Sequence, residues 1–169
     1  MRMALGLVVL AVAVGSDAQA ARRDSGYYVD FRARPTQAFG HSYVEVGQAG
    51  RDGRSRPSVT AGLYPKSPSA VFGARGTVTR TSADLKTTPT VSYRLAVSRE
   101  TYRQAEAYLA RMPKGQRYDL IGENCNHLVG RVASKLGLSD PGDHADLPEN
   151  YVRSLRSQNG GRARASWRN

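Results

Sequence analysis

Stretches that alternate apolar and polar residues come first in this chain, and stretches with a helical period come after them. In residues 27–33, Tyr27, Val29, Phe31 and Ala33 fall on one side and Tyr28, Asp30 and Arg32 on the other, the pattern of a half-buried strand. Residues 39–47 repeat it, with Ser42, Val44 and Val46 on one face and His41, Tyr43 and Glu45 on the other; Gly40 leaves room for a close approach. Residues 48–57 are rich in Gly and Arg and read as an exposed hairpin loop. A third strand follows at 58–64, carried by Val59, Ala61 and Leu63, until Pro65-Lys66-Ser67-Pro68 breaks it. Residues 71–76 fit no single period, 76–80 suggest a short edge strand, and 91–97 alternate cleanly through Val91, Tyr93, Leu95 and Val97.

The helical part opens at Ser98, an N-cap residue with Glu100 in the first turn. Tyr102, Ala105, Leu109 and Met112 form one apolar stripe, which Pro113 ends. A second helix is expected at or next to Cys125, with Asn124 as N-cap, an apolar face from Leu128, Val129, Val132, Ala133 and Leu136, and Gly137 as C-terminal cap. After an acidic loop at 139–147, Pro148 suits the first turn of a third helix, with Tyr151, Val152 and Leu155 inward. From residue 157 the chain is basic and rich in Gly, Arg, Ser and Asn, so a disordered tail is expected at 157–169. The order predicts one α+β domain over 27–156, an antiparallel sheet with helices packed on one face.

Arg2, an unbroken apolar or small run at 4–15, and Ala18-Gln19-Ala20 predict a signal peptide over residues 1–20, cleaved after Ala20. Export to a periplasm or beyond follows as an expectation, without stable membrane insertion after cleavage. The chain of 169 residues has a formal net charge of +11, which favours anionic surroundings such as envelope polymers. That charge is scattered through loops and tail with no basic helix studded with aromatics, so nucleic-acid binding is not expected.

The single cysteine cannot form an internal disulfide, so in an exported chain it is either a buried inert thiol or a nucleophile. A helix start stabilises a thiolate through its unpaired N–H groups and dipole. A histidine within reach lowers the thiol pKa further and later protonates the leaving group. His41, on a strand whose sheet must pack against the Cys125 helix, is the candidate base; Asn124, Tyr118 and Asn126 are candidates to help hold an oxyanion or to position the pair. His127 lies about 200° round the helix from Cys125 and is read as structural. Asp30 and Glu45 are either orienting carboxylates for His41 or solvated strand residues. His144 in Asp143-His144-Ala145-Asp146 does not match a zinc spacing, so neither metal nor cofactor is expected.

Gly40-His41-Ser42-Tyr43-Val44, followed about eighty residues later by Asn124-Cys125-Asn126-His127-Leu128, resembles the circularly permuted papain-like thiol hydrolases. That group includes permuted relatives of the NlpC-type cell-wall peptidases, the lecithin–retinol acyltransferase-like proteins and the PPPDE-type peptidases. The resemblance implies a permuted papain-like fold and a cysteine hydrolase acting on an amide, ester or thioester, with Cys125 as nucleophile, His41 as base and an acyl or peptide substrate, envelope components included. Leu128 stands where the family has an aromatic residue. The third polar residue stays open between Ser58, Thr60 and a plain dyad. A non-catalytic envelope-binding module and a lipid acyltransferase are the alternatives.

Overall fold

The structure, a computed structural model, describes residues 26–36, 39–50, 52–67, 74–79, 82–112 and 115–168. The expected signal peptide, residues 71–73, Arg80 and Pro113 lie outside the described residues. Alternation becomes sheet in β1 (Tyr27–Arg34), β2 (His41–Ala49), β3 (Ser55–Pro65), β4 (Ala74–Thr79) and β5 (Val91–Val97); β2 and β3 run into both ends of the 48–57 stretch expected as a loop, because the two strands pair with each other there. With two-residue strands β6 (Arg117–Tyr118) and β7 (Arg164–Ala165), they form a seven-stranded sheet in the order β6-β4-β3-β2-β1-β5-β7. Every neighbour pair is antiparallel except β5 and β7.

Register sets the two faces. Phe31 opposes Val44 and Tyr93, and Val29 opposes Val46 and Leu95, so the apolar sets of three strands add to one continuous surface. Helices α2 (Arg99–Ala110), α3 (Cys125–Lys135) and α4 (Pro148–Gln158) bury their stripes in the same cluster, through Tyr102, Ala105 and Leu109, through Leu128, Val129 and Val132, and through Tyr151, Val152 and Leu155. Burying one such side chain contributes roughly 1.5–3 kcal/mol. This is the α+β architecture the periodicities imply. A five-residue helix, α1 (Ser82–Lys86), falls before β5.

The opposite face of the sheet is polar, and its two carboxylates are shielded from solvent. Asp30 and Glu45 are buried. Asp30 accepts from Arg32 Nε at 2.9 Å, Ser92 Oγ at 2.6 Å and Arg94 Nε at 3.0 Å. Glu45 accepts from Arg32 Nη1 at 2.6 Å and the Tyr28 hydroxyl at 2.8 Å. Neither carboxylate is solvated and neither bonds to His41: arginines on β1 and β5 hold both, because a buried carboxylate needs a cation and filled lone pairs.

The C-terminal tail also departs from expectation. Residues 157–168 fold back over the domain. β7 pairs with β5 through Ala96↔Arg164 and Val97↔Ala165, and Trp167 packs on Tyr108 with ring centroids 5.4 Å apart. Asn159, buried, donates to Ser139 O and Leu155 O and accepts from Ser139 N. Low local hydrophobicity suggested disorder, but an open edge on β5 gives the segment backbone partners that composition does not reveal.

Candidate active site

Cys125 is the first residue of α3, and Asn124 is its N-cap in extended backbone. Asn124 Oδ1 accepts from the N–H groups of Asn126 at 2.9 Å and His127 at 3.3 Å, while the Asn124 N–H donates to His127 Nδ1 at 3.2 Å, a reciprocal capping box. His127 is therefore structural, as its position round the helix implied. Asn124 Nδ2 donates to Leu120 O at 2.6 Å and His144 O at 2.8 Å. Asn126 Nδ2 donates to His144 O at 3.2 Å and Asp146 O at 2.8 Å, and its Oδ1 accepts from Ser42 Oγ at 2.7 Å. Both amides clamp the 139–147 loop onto the helix start, which leaves neither with an N–H to offer an oxyanion.

The Cys125 side chain meets β2 on its Ser42 side. Burial pushes the thiol pKa up; the nearby Ser42 hydroxyl and the N–H groups of Ser42, Asn126 and Cys125 pull it down without overcoming burial. Ser42 was not foreseen as part of this site. Its place beside His41 on a strand gave no signal until the α3 start was laid against it.

His41 opens β2 directly after Gly40, whose φ of +78° turns the chain into the strand. Its ring lies over Gly62, where an added Cβ would overlap Nε2, and against Tyr64 with centroids 4.0 Å apart. Asp84 on α1 accepts from Tyr64 and from Arg34 Nε at 2.8 Å, which fixes that wall. His41 Nε2 is buried and has no hydrogen-bond partner among the described residues. Burial, with the Arg34 charge adding to it, carries the imidazole pKa down to about 3. Of the two candidate third residues, Ser58 donates to Val46 O at 3.0 Å and Thr60 Oγ1 is buried without a partner among the described residues. Neither bonds to His41; the position beneath the ring is Gly62.

Both groups nevertheless line one cleft of about 700 Å³. His41 is 5 % exposed and Cys125 6 %. Tyr118 lines it too, and burial, with Cys125 and Asp119 nearby, raises its phenol to about 12, so it remains a hydrogen-bond donor at neutral pH. The Cys125 N–H donates to no backbone oxygen among the described residues. At the mouth stand Phe39, Ile121 and Leu147, exposed by 53 %, 66 % and 53 %.

Electrostatics set the resting state. A thiol pushed up by burial and an imidazole carried down to about 3 are both neutral at pH 7. Moving the proton between them in the closed cleft is therefore uphill. Since burial is the largest cause on both sides, water or a polar substrate reaching the ring is what lowers that cost. Among the described residues no cluster of three or more His, Cys, Asp or Glu is arranged to hold a metal, and no helix is long and apolar enough to cross a membrane. Compared with protein-family models, curated proteins and solved structures, the chain matches none.

Proposed function

We propose that this protein is an exported thiol hydrolase of the permuted papain-like kind, cleaving an amide or ester through an acyl-enzyme on Cys125 with His41 as general base. One observation carries the reading: a sulfur at a helix start and an imidazole line the same cleft, with the Tyr118 hydroxyl beside them. His41 takes the thiol proton as Sγ attacks the carbonyl carbon. The carbonyl oxygen gains charge toward the Cys125 N–H and Tyr118. The C–N or C–O bond breaks, and His41 returns the proton to the leaving group. Water then attacks the thioester, again losing a proton to His41, and the thiol re-forms as the acid departs. The expected signal peptide and positive charge suit an envelope amide or ester.

The neutral resting pair favours a second reading, a binding module that keeps the cleft without the chemistry. Turnover of p-nitrophenyl acetate and a pH–rate profile of Cys125 alkylation by iodoacetamide separate the two. A hydrolase loses at least ~100-fold in turnover in both Cys125→Ser and His41→Ala while far-UV circular dichroism is unchanged. Its Cys125 alkylates below pH 8.5, and His41→Ala abolishes that reactivity. Wild-type turnover in either variant, or alkylation that starts only near pH 9 and ignores His41, rejects catalysis.

A further inference from the structure

A second cavity of about 490 Å³ lies along α3, lined by His127, Arg131, Ser134 and Lys135. These residues recur at i, i+4, i+7 and i+8, so they form one stripe of the helix. The returning tail supplies the facing wall. The Arg168 N–H donates to Lys135 O at 2.6 Å, and its guanidinium packs on Gly137, where an added Cβ would overlap it. Three permanent cations therefore line one cavity.

The carboxylate lining the same cavity offsets one of these charges but pairs with none of the three cations among the described residues. Asp140 Oδ1 accepts from the Tyr151 hydroxyl at 2.6 Å and Gly142 N–H at 2.9 Å, and Oδ2 contacts His144 Nε2 at 3.0 Å. Glu123 accepts from Arg131 Nη1 at 2.5 Å, but Arg131 Nη2, also buried, has no partner among the described residues. The Arg131 side chain as a whole is 34 % exposed, so its guanidinium can turn toward an anion in the cavity. His127 adds another donor. Its Nδ1 accepts the Asn124 N–H, so the neutral ring carries its proton on Nε2.

We propose that this cavity is a binding site for the tetrahedral oxyanion of a phosphate monoester or phosphodiester. Two arginines, a lysine, a serine hydroxyl and an imidazole N–H can surround the non-bridging oxygens of a tetrahedral phosphoryl group, which guanidinium forks grip in pairs. The volume exceeds that of a bare phosphate, which leaves room for what the phosphoryl group is esterified to. The site is independent of Cys125 chemistry.

Trp167, the only tryptophan in the chain, packs tilted against Tyr108, which lines this cavity, so its fluorescence reports on the site. Titration of the purified protein with inorganic phosphate is expected to give a saturable change, weakened when NaCl rises. The double variant Arg131→Gln/Lys135→Gln raises Kd at least tenfold, as does the single variant Arg168→Gln should the double variant melt early; Cys125→Ser binds as wild type does. Phosphatidylglycerol vesicles that capture the protein in competition with phosphate, where phosphatidylcholine vesicles do not, assign a lipid headgroup. Phosphate binding without vesicle capture assigns a soluble ester. No saturable change with phosphate, or unchanged affinity in the folded variants, overturns the proposal.

Discussion

His41 is neutral for a reason that has a measurable consequence away from catalysis. Its ring is enclosed by Tyr64 and the bare backbone of Gly62, with Arg34 adding like charge to any proton it takes. In the unfolded chain the same imidazole titrates near 6.5. Between pH 6.5 and about 3 the unfolded state therefore binds the extra proton, and stability falls as pH drops through that window. From pH 7 to 4.5 the site contributes a loss of roughly 2–3 kcal/mol at 1.36 kcal/mol per pH unit below 6.5. In urea titrations at the two pH values, His41→Gln is expected to lose that much less than wild type. Equal losses in both proteins would show that the ring is not held neutral by the fold. Gly62 also explains why neither Ser58 nor Thr60 completes a triad: a bare backbone under the imidazole offers no side chain to orient it.

Among the elements, the start of α3 carries more than an ordinary cap. Ser98 at the start of α2 accepts from the Thr101 N–H at 3.1 Å, and Ser98→Ala is expected to cost about 1 kcal/mol. Asn124 accepts two helix N–H groups and ties Leu120 O and His144 O with the same amide. Asn124→Ala removes the cap and leaves Leu120 O without its donor, while His144 O keeps Asn126 Nδ2, so the expected loss is roughly 2–3 kcal/mol by denaturant midpoint. It also frees the 139–147 loop, so Cys125 alkylation should accelerate in the variant. A loss no larger than that of Ser98→Ala would mean the clamp contributes nothing beyond capping.

Across the whole molecule, the sheet has an apolar face under three helices and a polar face closed by its own ions. Asp30 is the hub of the second, receiving Arg32, Ser92 and Arg94 from two strands. Asp30→Ala leaves two guanidinium groups short of a partner and is expected to destabilise by roughly 3–5 kcal/mol, read from thermal unfolding. Asp30→Asn, which keeps the shape and part of the bonding, should lose less. Comparable losses would mean the charge itself is not what the network needs.

The sequence by itself determined the elements that have a period. Residues 27–33 and 91–97 are strands because alternation matches the pleat, and Asn124-Cys125 opens a helix because asparagine caps it. His41 and Cys125 were legible as a pair of reactive types, and both line one cleft. Only tertiary structure decided which partners those side chains receive. Ser42 beside the sulfur, Gly62 and Tyr64 around the imidazole, and arginines on Asp30 and Glu45 all come from strands or helices distant in sequence. The tail is ordered for the same reason: 157–168 has no period of its own and takes its shape from the free edge of β5 and the ring of Tyr108. Local pattern encodes secondary structure, whereas desolvation and pairing depend on what packs from elsewhere, and they set the pKa values on which the chemistry turns.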